Sequence, residues 1–275
     1  MGKPVSRRQF LAGAAALATQ TTVFVAGARA FAASGTPPVP VTTVPPFPPR
    51  QALTPLRVPR ASGPLPAFIR SGPTTRPFVG LSVDDMFGGS GADNVAALLD
   101  IAKQKNVKVT FFPTGGALAG HLATGRQGVW RRVIDEGHEI GNHSYTHANL
   151  TKLNDQQIRD ELNRTQAELN NVLGFAYSMR MMRPPGGAGG FVNGGDPRIM
   201  NVITPLGYSM VMWNIDSNGT AGNASYTTKI LANAHNGSIV LAHFSTYAVG
   251  NYPALIDGLR ARKLEPTNVS GLFSS

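Results

Sequence analysis

The sequence predicts an α/β fold, a barrel of about seven parallel strands, on two observations. From residue 78 onward, short β-prone runs alternate with helical patterns about seven times, as in a parallel sheet with helical crossovers. Polar residues recur where the β-prone runs end: Asp84 and Asp85, His143, Arg183, Asp216 and His243. In a β/α barrel the C-terminal strand ends converge on one face, where several strands furnish one site. An open doubly wound sheet is the alternative, but it does not naturally gather all six.

The elements follow in order. Phe78-Val79-Gly80-Leu81-Ser82-Val83 is a strand that runs into Asp84-Asp85. Residues 92–105 are helical, with Val95, Leu98, Leu99 and Ala102 on one face. A strand over 107–112, a helix over 129–136 and a short strand at 139–140 come next. Residues 154–173 form an amphipathic helix, with Asn154 as N-cap and Gly174 past its end. A strand over 179–183 is broken by Pro184-Pro185-Gly186-Gly187. Then come a helix over 197–206, a strand over 208–215, a helix over 226–234 and a strand over 238–241 that leads to His243. A helix over 253–262 and a closing strand at Asn268-Val269 complete the domain, 78–275.

The chain ahead of it reads differently. Ser6-Arg7-Arg8-Gln9-Phe10-Leu11 opens an apolar run to about Val25, followed by Ala28-Arg29-Ala30 and Ala30-Phe31-Ala32. A basic start, an apolar middle and an A-x-A end make residues 1–33 an export signal. The paired arginines resemble the twin-arginine type, which implies the twin-arginine export machinery as a partner and a secreted or envelope location. A plain secretory signal or an uncleaved anchor is the alternative, though the run is short and alanine-rich for a permanent span. Residues 34–77 are rich in proline, as in Pro45-Pro46-Phe47-Pro48-Pro49, and read as an extended linker.

Charge and cysteine content narrow the function. The net charge of +10 comes from nine arginines and lysines before residue 78, where no acid occurs; the remaining 16 cations face 15 acids. The domain is therefore nearly neutral, which argues against a nucleic-acid face. With no cysteine, disulfides, a thiol nucleophile and Cys-ligated metals are excluded. Any metal must rest on His, Asp or Glu.

Residues 138–147 hold three of the six histidines. His143 and His147 are either loop residues or metal ligands. With one carboxylate of the Asp84-Asp85 pair they would make a three-ligand site with open positions, the layout of a hydrolytic metal. Side chains alternate along a strand, so the second carboxylate faces elsewhere and could take a proton. His243 could return one to a leaving group. Blander readings stand beside these: Arg183 as a surface cation, Asp216 as a turn residue, Trp213 as core, His121 and His138 as structural or solvated, and His235 in a helix-ending turn.

At this point the chain resembles the polysaccharide deacetylase family, carbohydrate esterase family 4, over roughly residues 76–273. Ser82-Val83-Asp84-Asp85, His143-Ser144-Tyr145-Thr146-His147, Arg183-Pro184-Pro185-Gly186-Gly187, Trp213-Asn214-Ile215-Asp216-Ser217 and Ile239-Val240-Leu241-Ala242-His243 match its five ordered elements. The resemblance implies a distorted β/α barrel that removes acetyl groups from sugars with one divalent metal, zinc before cobalt or another ion. It implies Asp85, His143 and His147 as metal ligands, Asp84 as general base and Arg183 as its holder. His243 would be the general acid, with Asp216 tuning it. The Gly186 N–H would meet the oxyanion and Leu241 the acetyl methyl. Four departures from the pattern stand out: Met86 where glycine is usual, Gly186 for tyrosine, Ser217-Asn218-Gly219-Thr220 where the fourth element normally continues to Asp-Trp, and Phe244 for aspartate. The implied partner is an acetylated polysaccharide, peptidoglycan or chitin-like, with no stable membrane span after processing. An O-acetyl esterase on xylan and a catalytically silent glycan-binding barrel are the competing readings.

Overall fold

The computed structural model describes residues 63–216, 225–243 and 246–274. The expected export signal, most of the expected linker, Ser217-Asn218 and Phe244 lie outside the described residues.

Among the described residues nine strands and seven α-helices largely alternate, and every strand pairing is parallel. The strands are β1 (Phe68–Ile69), β2 (Phe78–Asp85), β3 (Thr110–Pro113), β4 (Glu139–Ile140), β5 (Met181–Met182), β6 (Ser209–Val211), β7 (Ile215–Asp216), β8 (Ile239–His243) and β9 (Glu265–Thr267). The helices are α1 (Gly88–Lys105), α2 (Gly115–Ala123), α3 (Gly128–Asp135), α4 (Asp155–Leu173), α5 (Pro197–Ile203), α6 (Ser225–Asn233) and α7 (Thr246–Ala261). One sheet runs β4-β3-β2-β8-β7, with β9 also on β2; a second runs β1-β6-β5. A bridge between Asn142 and Met182 links the two past β4. The chain itself links them again from β6 to β7. The barrel is thus distorted, without a continuous ring of strand hydrogen bonds.

Alternation along β2 sorts the core. Val79, Leu81 and Val83 pack outward against the helices with Val95, Leu98 and Leu99 of α1. The inner face carries small or polar residues, Gly80, Ser82 and Asp84. A second cluster, Ile69, Phe112, Met181, Val211, Ile239, Val269 and Leu272, joins strand residues to the C-terminal segment. Gly80 makes room for it, since a Cβ there would meet Leu272 Cδ1 at 3.1 Å.

Several boundaries differ from expectation. Residues 63–77, expected as linker, are tied to the fold: β1 pairs with β6, and the Gly72 N–H donates to Gly237 O at 2.8 Å. The strand expected over 208–215 divides into β6 and β7, because the chain changes sheets across Met212–Asn214. The Met212 N–H still donates to Ile69 O, whereas Asn214 Oδ1 accepts from the Ile239 N–H. The last helix, expected over 253–262, begins at Thr246 as α7 and contains Pro253. The closing strand is β9 at 265–267; Val269 instead leads into a 3-10 turn, Ser270–Phe273. Helix α2 was not expected at all. Helix α4 matches closely, with a complete Asn154–Gln157 capping box and Gly174 left-handed at its end.

Candidate functional site

β2 ends at the site. Asp84 lies on the same face as Ser82, in register with His243 of β8. It is buried, and Arg183 Nη1 donates to its Oδ1 at 2.7 Å. Arg183, just past β5, is itself fully buried. Its Nε donates to Val211 O at 3.1 Å, its Nη2 to Met212 O at 3.3 Å, and its guanidinium lies 4.3 Å over the Phe112 ring. Burial pushes the Arg183 pKa down and the charge of Asp84 opposes it. A buried charge pair of this kind persists when its remaining donors are satisfied.

The next residues leave the strand in left-handed geometry. Asp85 has φ +80° and Met86 φ +60°. Ser144 and His147 are also left-handed, so four of the six such non-glycine residues among the described ones lie here. Each costs about 1–2 kcal/mol, a strain typically concentrated at functional sites. Met86 thus adopts a conformation that suits glycine, and its side chain is fully buried.

The loop from His143 to His147 is held on all sides. The Gly115 and Gly116 N–H groups at the start of α2 donate to Ser144 O and Tyr145 O at 2.9 and 3.0 Å. Glycine is required at 115, where a Cβ would lie 2.2 Å from the Tyr145 ring. The N–H groups of Tyr145 and Thr146 both donate to Glu161 Oε2 at 2.8 Å, and Thr146 Oγ1 donates to Glu161 Oε1 at 2.8 Å. Asn142 Oδ1 accepts from the Ser144 N–H, while its Nδ2 donates to Leu162 O and Tyr208 Oη.

This scaffold brings three ligand atoms together. Asp85 Oδ1 lies 3.4 Å from His143 Nε2 and 3.2 Å from His147 Nε2, and a ligand atom from each residue falls within 4.8 Å of the others. Ligands at tetrahedral bond lengths of ~2.0–2.1 Å sit roughly 3.3 Å apart, so the spacing fits a single cation. Asp85 Oδ1 is buried and has no hydrogen-bond partner among the described residues. His143 Nδ1 lies 2.8 Å from Arg183 O. A carbonyl only accepts, so Nδ1 carries the proton and Nε2 presents its lone pair inward. Burial alone would raise the Asp85 carboxyl, but the two imidazoles outweigh it and hold the group well below the usual carboxylate range. Contact with Asp85 raises the His147 pKa in turn.

His243 completes the mouth, half-exposed, with Nε2 3.9 Å from Asp85 Oδ2. Its Nδ1 is buried and makes no hydrogen bond among the described residues, so Asp216 does not bond that atom. Asp216 stands on β7 in register with buried Leu241, two residues before His243. Gly186, left-handed at φ +60°, is exposed, with open space where a Cβ would point. The structure therefore joins Asp84, Asp85, His143, His147, Arg183 and His243 by close approach. Asp216 and Leu241 sit in the adjoining register, and Gly186 lies on the loop leaving Arg183.

The other histidines are structural or peripheral. His121 accepts from Trp130 Nε1 at 3.1 Å and meets Gly88 O at 3.0 Å. His138 Nδ1 accepts from the Val109 N–H at 3.1 Å. His235 sits in the turn after α6, its Nδ1 2.9 Å from Asn236 O. Sequence reasoning missed Glu161. Its signal was a carboxylate among the apolar positions of α4, beside Ile158, Leu162, Thr165 and Leu169, all of which are buried. It also passed over Asn142 and the exposed rings of Phe87 and Phe191.

Comparison with known proteins bears on these residues. A family model described as polysaccharide deacetylase matches residues 71–211. A peptidoglycan-N-acetylglucosamine deacetylase of Bacillus cereus is 32% identical over 182 residues, 64% of this chain and 59% of that protein. A bifunctional xylanase/xylan deacetylase of Cellvibrio japonicus is 31% identical over 198 residues, 70% of this chain and 27% of that protein. The chain thus spans about three-fifths of the first relative's length and about a quarter of the second's. Among solved structures, the Bc1960 peptidoglycan N-acetylglucosamine deacetylase bound to a hydroxamate-type benzamide superposes with a TM-score of 0.64 at 28% identity, covering 75% of this chain and 92% of that one.

Proposed function

The chain belongs to the polysaccharide deacetylase family, and on that premise we propose that it is an exported, metal-dependent deacetylase that hydrolyses N-acetyl groups of a peptidoglycan- or chitin-like glycan. The observation that carries this reading is the convergence of Asp85, His143 and His147 beside the Arg183–Asp84 pair and His243. Asp85 Oδ1, His143 Nε2 and His147 Nε2 would hold one divalent cation, zinc first and cobalt as the alternative. What such an ion supplies is Lewis acidity toward the acyl oxygen and toward water.

The chain's own groups would do the rest. Arg183 occupies Asp84 Oδ1 and leaves Oδ2, which lies 3.7 Å from His143 Nε2, facing the cation site. Asp84 would accept the proton of the attacking water there. His243 would deliver a proton to the departing sugar nitrogen, so that water and amide become acetate and amine. The Gly186 N–H would donate to the oxygen on which charge develops. Leu241 would bound the acetyl methyl, and Asp216 would tune His243 from the neighbouring strand.

Export rests on the Arg7-Arg8 start and the apolar run after it; no helix of the described residues is long and apolar enough to cross a membrane. The likeness to a xylan deacetylase supports a second reading, an O-acetyl esterase on xylan. The test is acetate release by the full chain from N-acetylglucosamine oligomers and from acetylated xylan, with and without chelator. Chelator-sensitive release from the oligomers is expected. Release from xylan alone would select the esterase, and release from neither, with glycan binding intact, would select a silent binding barrel.

A further inference from the structure

We propose that Phe191, braced by Trp213, is a substrate-contact platform for the sugar next to the one deacetylated. The inference rests on the glycan reading above. Four large apolar side chains are well exposed among the described residues: Phe87, Leu122, Phe191 and Val192. Three of them lie on segments that leave the candidate site. Phe87 stands edge-on to His147, ring centroids 5.7 Å apart, and Phe191 and Val192 stand together on the loop after Arg183, 57% and 54% exposed.

That loop is built to present them. Its glycines let the backbone lie flat on the fold. A Cβ at Gly190 would lie 2.0 Å from Met212 Sδ, and one at Gly189 would lie 2.5 Å from Ile199 Cδ1. Backbone bonds close it: the Gly190 N–H donates to Gly187 O at 2.9 Å, the Gly195 N–H to Val192 O at 2.9 Å, and the Asp196 N–H to Gly189 O at 2.7 Å. The Phe191 ring is fixed edge-to-face on Trp213, 5.7 Å between centroids at 82°. Trp213 in turn lies 5.5 Å from the Arg183 guanidinium, which bonds Asp84. A run of contacts therefore leads from the platform to the reacting end.

A ring braced along one side and otherwise exposed loses little freedom when it binds. It suits a ligand with an apolar face and polar edges. A pyranose has that character, since its C–H bonds cluster on the ring faces and its hydroxyls point outward. Phe191 also lies beside Gly187, where a Cβ would come within 2.6 Å of its ring. The platform is thus next to the Gly186 N–H, and the sugar it holds is a neighbour of the acetylated one.

The test compares wild type, Phe191→Ala, Phe191→Tyr and the remote control Leu122→Ser, all in the full chain. One readout is acetate release from mono- and hexameric N-acetylglucosamine; the other is quenching of tryptophan fluorescence by the hexamer. The preference for hexamer over monomer, as a ratio of kcat/KM, should fall roughly three- to tenfold in Phe191→Ala. It should recover in Phe191→Tyr and stay unchanged in Leu122→Ser. An unchanged ratio with unchanged quenching would overturn the platform while leaving the deacetylase reading intact. Quenching that depends on Phe191 without acetate release would uphold the platform and overturn that reading. No quenching and no release would overturn both.

Discussion

At one end of the strands, Glu139 of β4 is largely buried and surrounded by donors: Thr110 Oγ1 at 2.8 Å, the Ser270 N–H at 3.3 Å and the Ser270 hydroxyl. At the other end, Asp85 is largely buried too, yet its Oδ1 has no hydrogen-bond partner among the described residues and faces two imidazole nitrogens at 3.2 and 3.4 Å. Glu139 ties the C-terminal segment under the barrel, where Thr110 Oγ1 also accepts the Val269 N–H. Asp85 Oδ1 takes no such donor among the described residues; its surroundings are what is tied, through Glu161, Asn142 and the start of α2. A buried carboxylate at a strand end is therefore not in itself a site. What separates the two is whether the fold spends its donors on the carboxylate or leaves it aimed at other ligand atoms.

The sharpest break of this contrast is at Arg183. Replacing it with methionine, Arg183→Met, leaves Asp84 buried without its partner, which should lower stability by about 3–5 kcal/mol. Chemical denaturation measures this, and acetate release should fall more than the folded fraction does. Glu161→Gln comes next. It keeps the shape but loses the charge that gathers two N–H groups and a hydroxyl of the histidine loop. Metal affinity, read by titration calorimetry, should weaken roughly 10–100-fold, as for other groups that orient ligands.

The acid limb of stability tests the structural histidines. Burial, with Lys108 nearby, lowers His138 to about 4, below the unfolded value, so the unfolded state takes up its proton first as pH falls. The stability this residue contributes is present above pH ~6.5 and is lost as pH drops toward the folded value, about 3 kcal/mol in all. Denaturant midpoints across that window should show the decline.

The smallest effect is at the floor. Burial raises the Glu139 carboxyl against the pull of Ser270 and Thr110, so its contribution is present below the unfolded pKa and lost as pH rises through the folded one. Glu139→Gln imitates the protonated form. It should change stability at neutral pH by no more than about 1 kcal/mol and leave acetate release untouched. A large loss of activity there would erase the contrast between the two ends.

Much of this was legible in the residues alone. The polar strand ends marked Asp84, Arg183 and His243, and the spacing of His143 and His147 made them ligands or loop residues. What stayed hidden depends on contacts between distant segments. Helix α2 begins with Gly115-Gly116, which reads as a break; Gly115 is there because the Tyr145 ring leaves no room for a side chain. Glu161 looks like an odd polar residue on an apolar stripe until the loop folds over it. The strand over 208–215 carries one hydrophobic pattern, yet it serves two sheets because Asn214 turns its side chain to Ile239. Pattern fixes which face a residue takes, not which neighbour arrives there.

Three ligand atoms gathered for one cation define the site, and titration of zinc into the full chain tests that most directly. Wild type should bind one ion per chain, with acetate release following occupancy. Asp85→Asn and His147→Ala should each lose both the binding and the release. Full acetate release by His147→Ala, with no zinc bound, would contradict it.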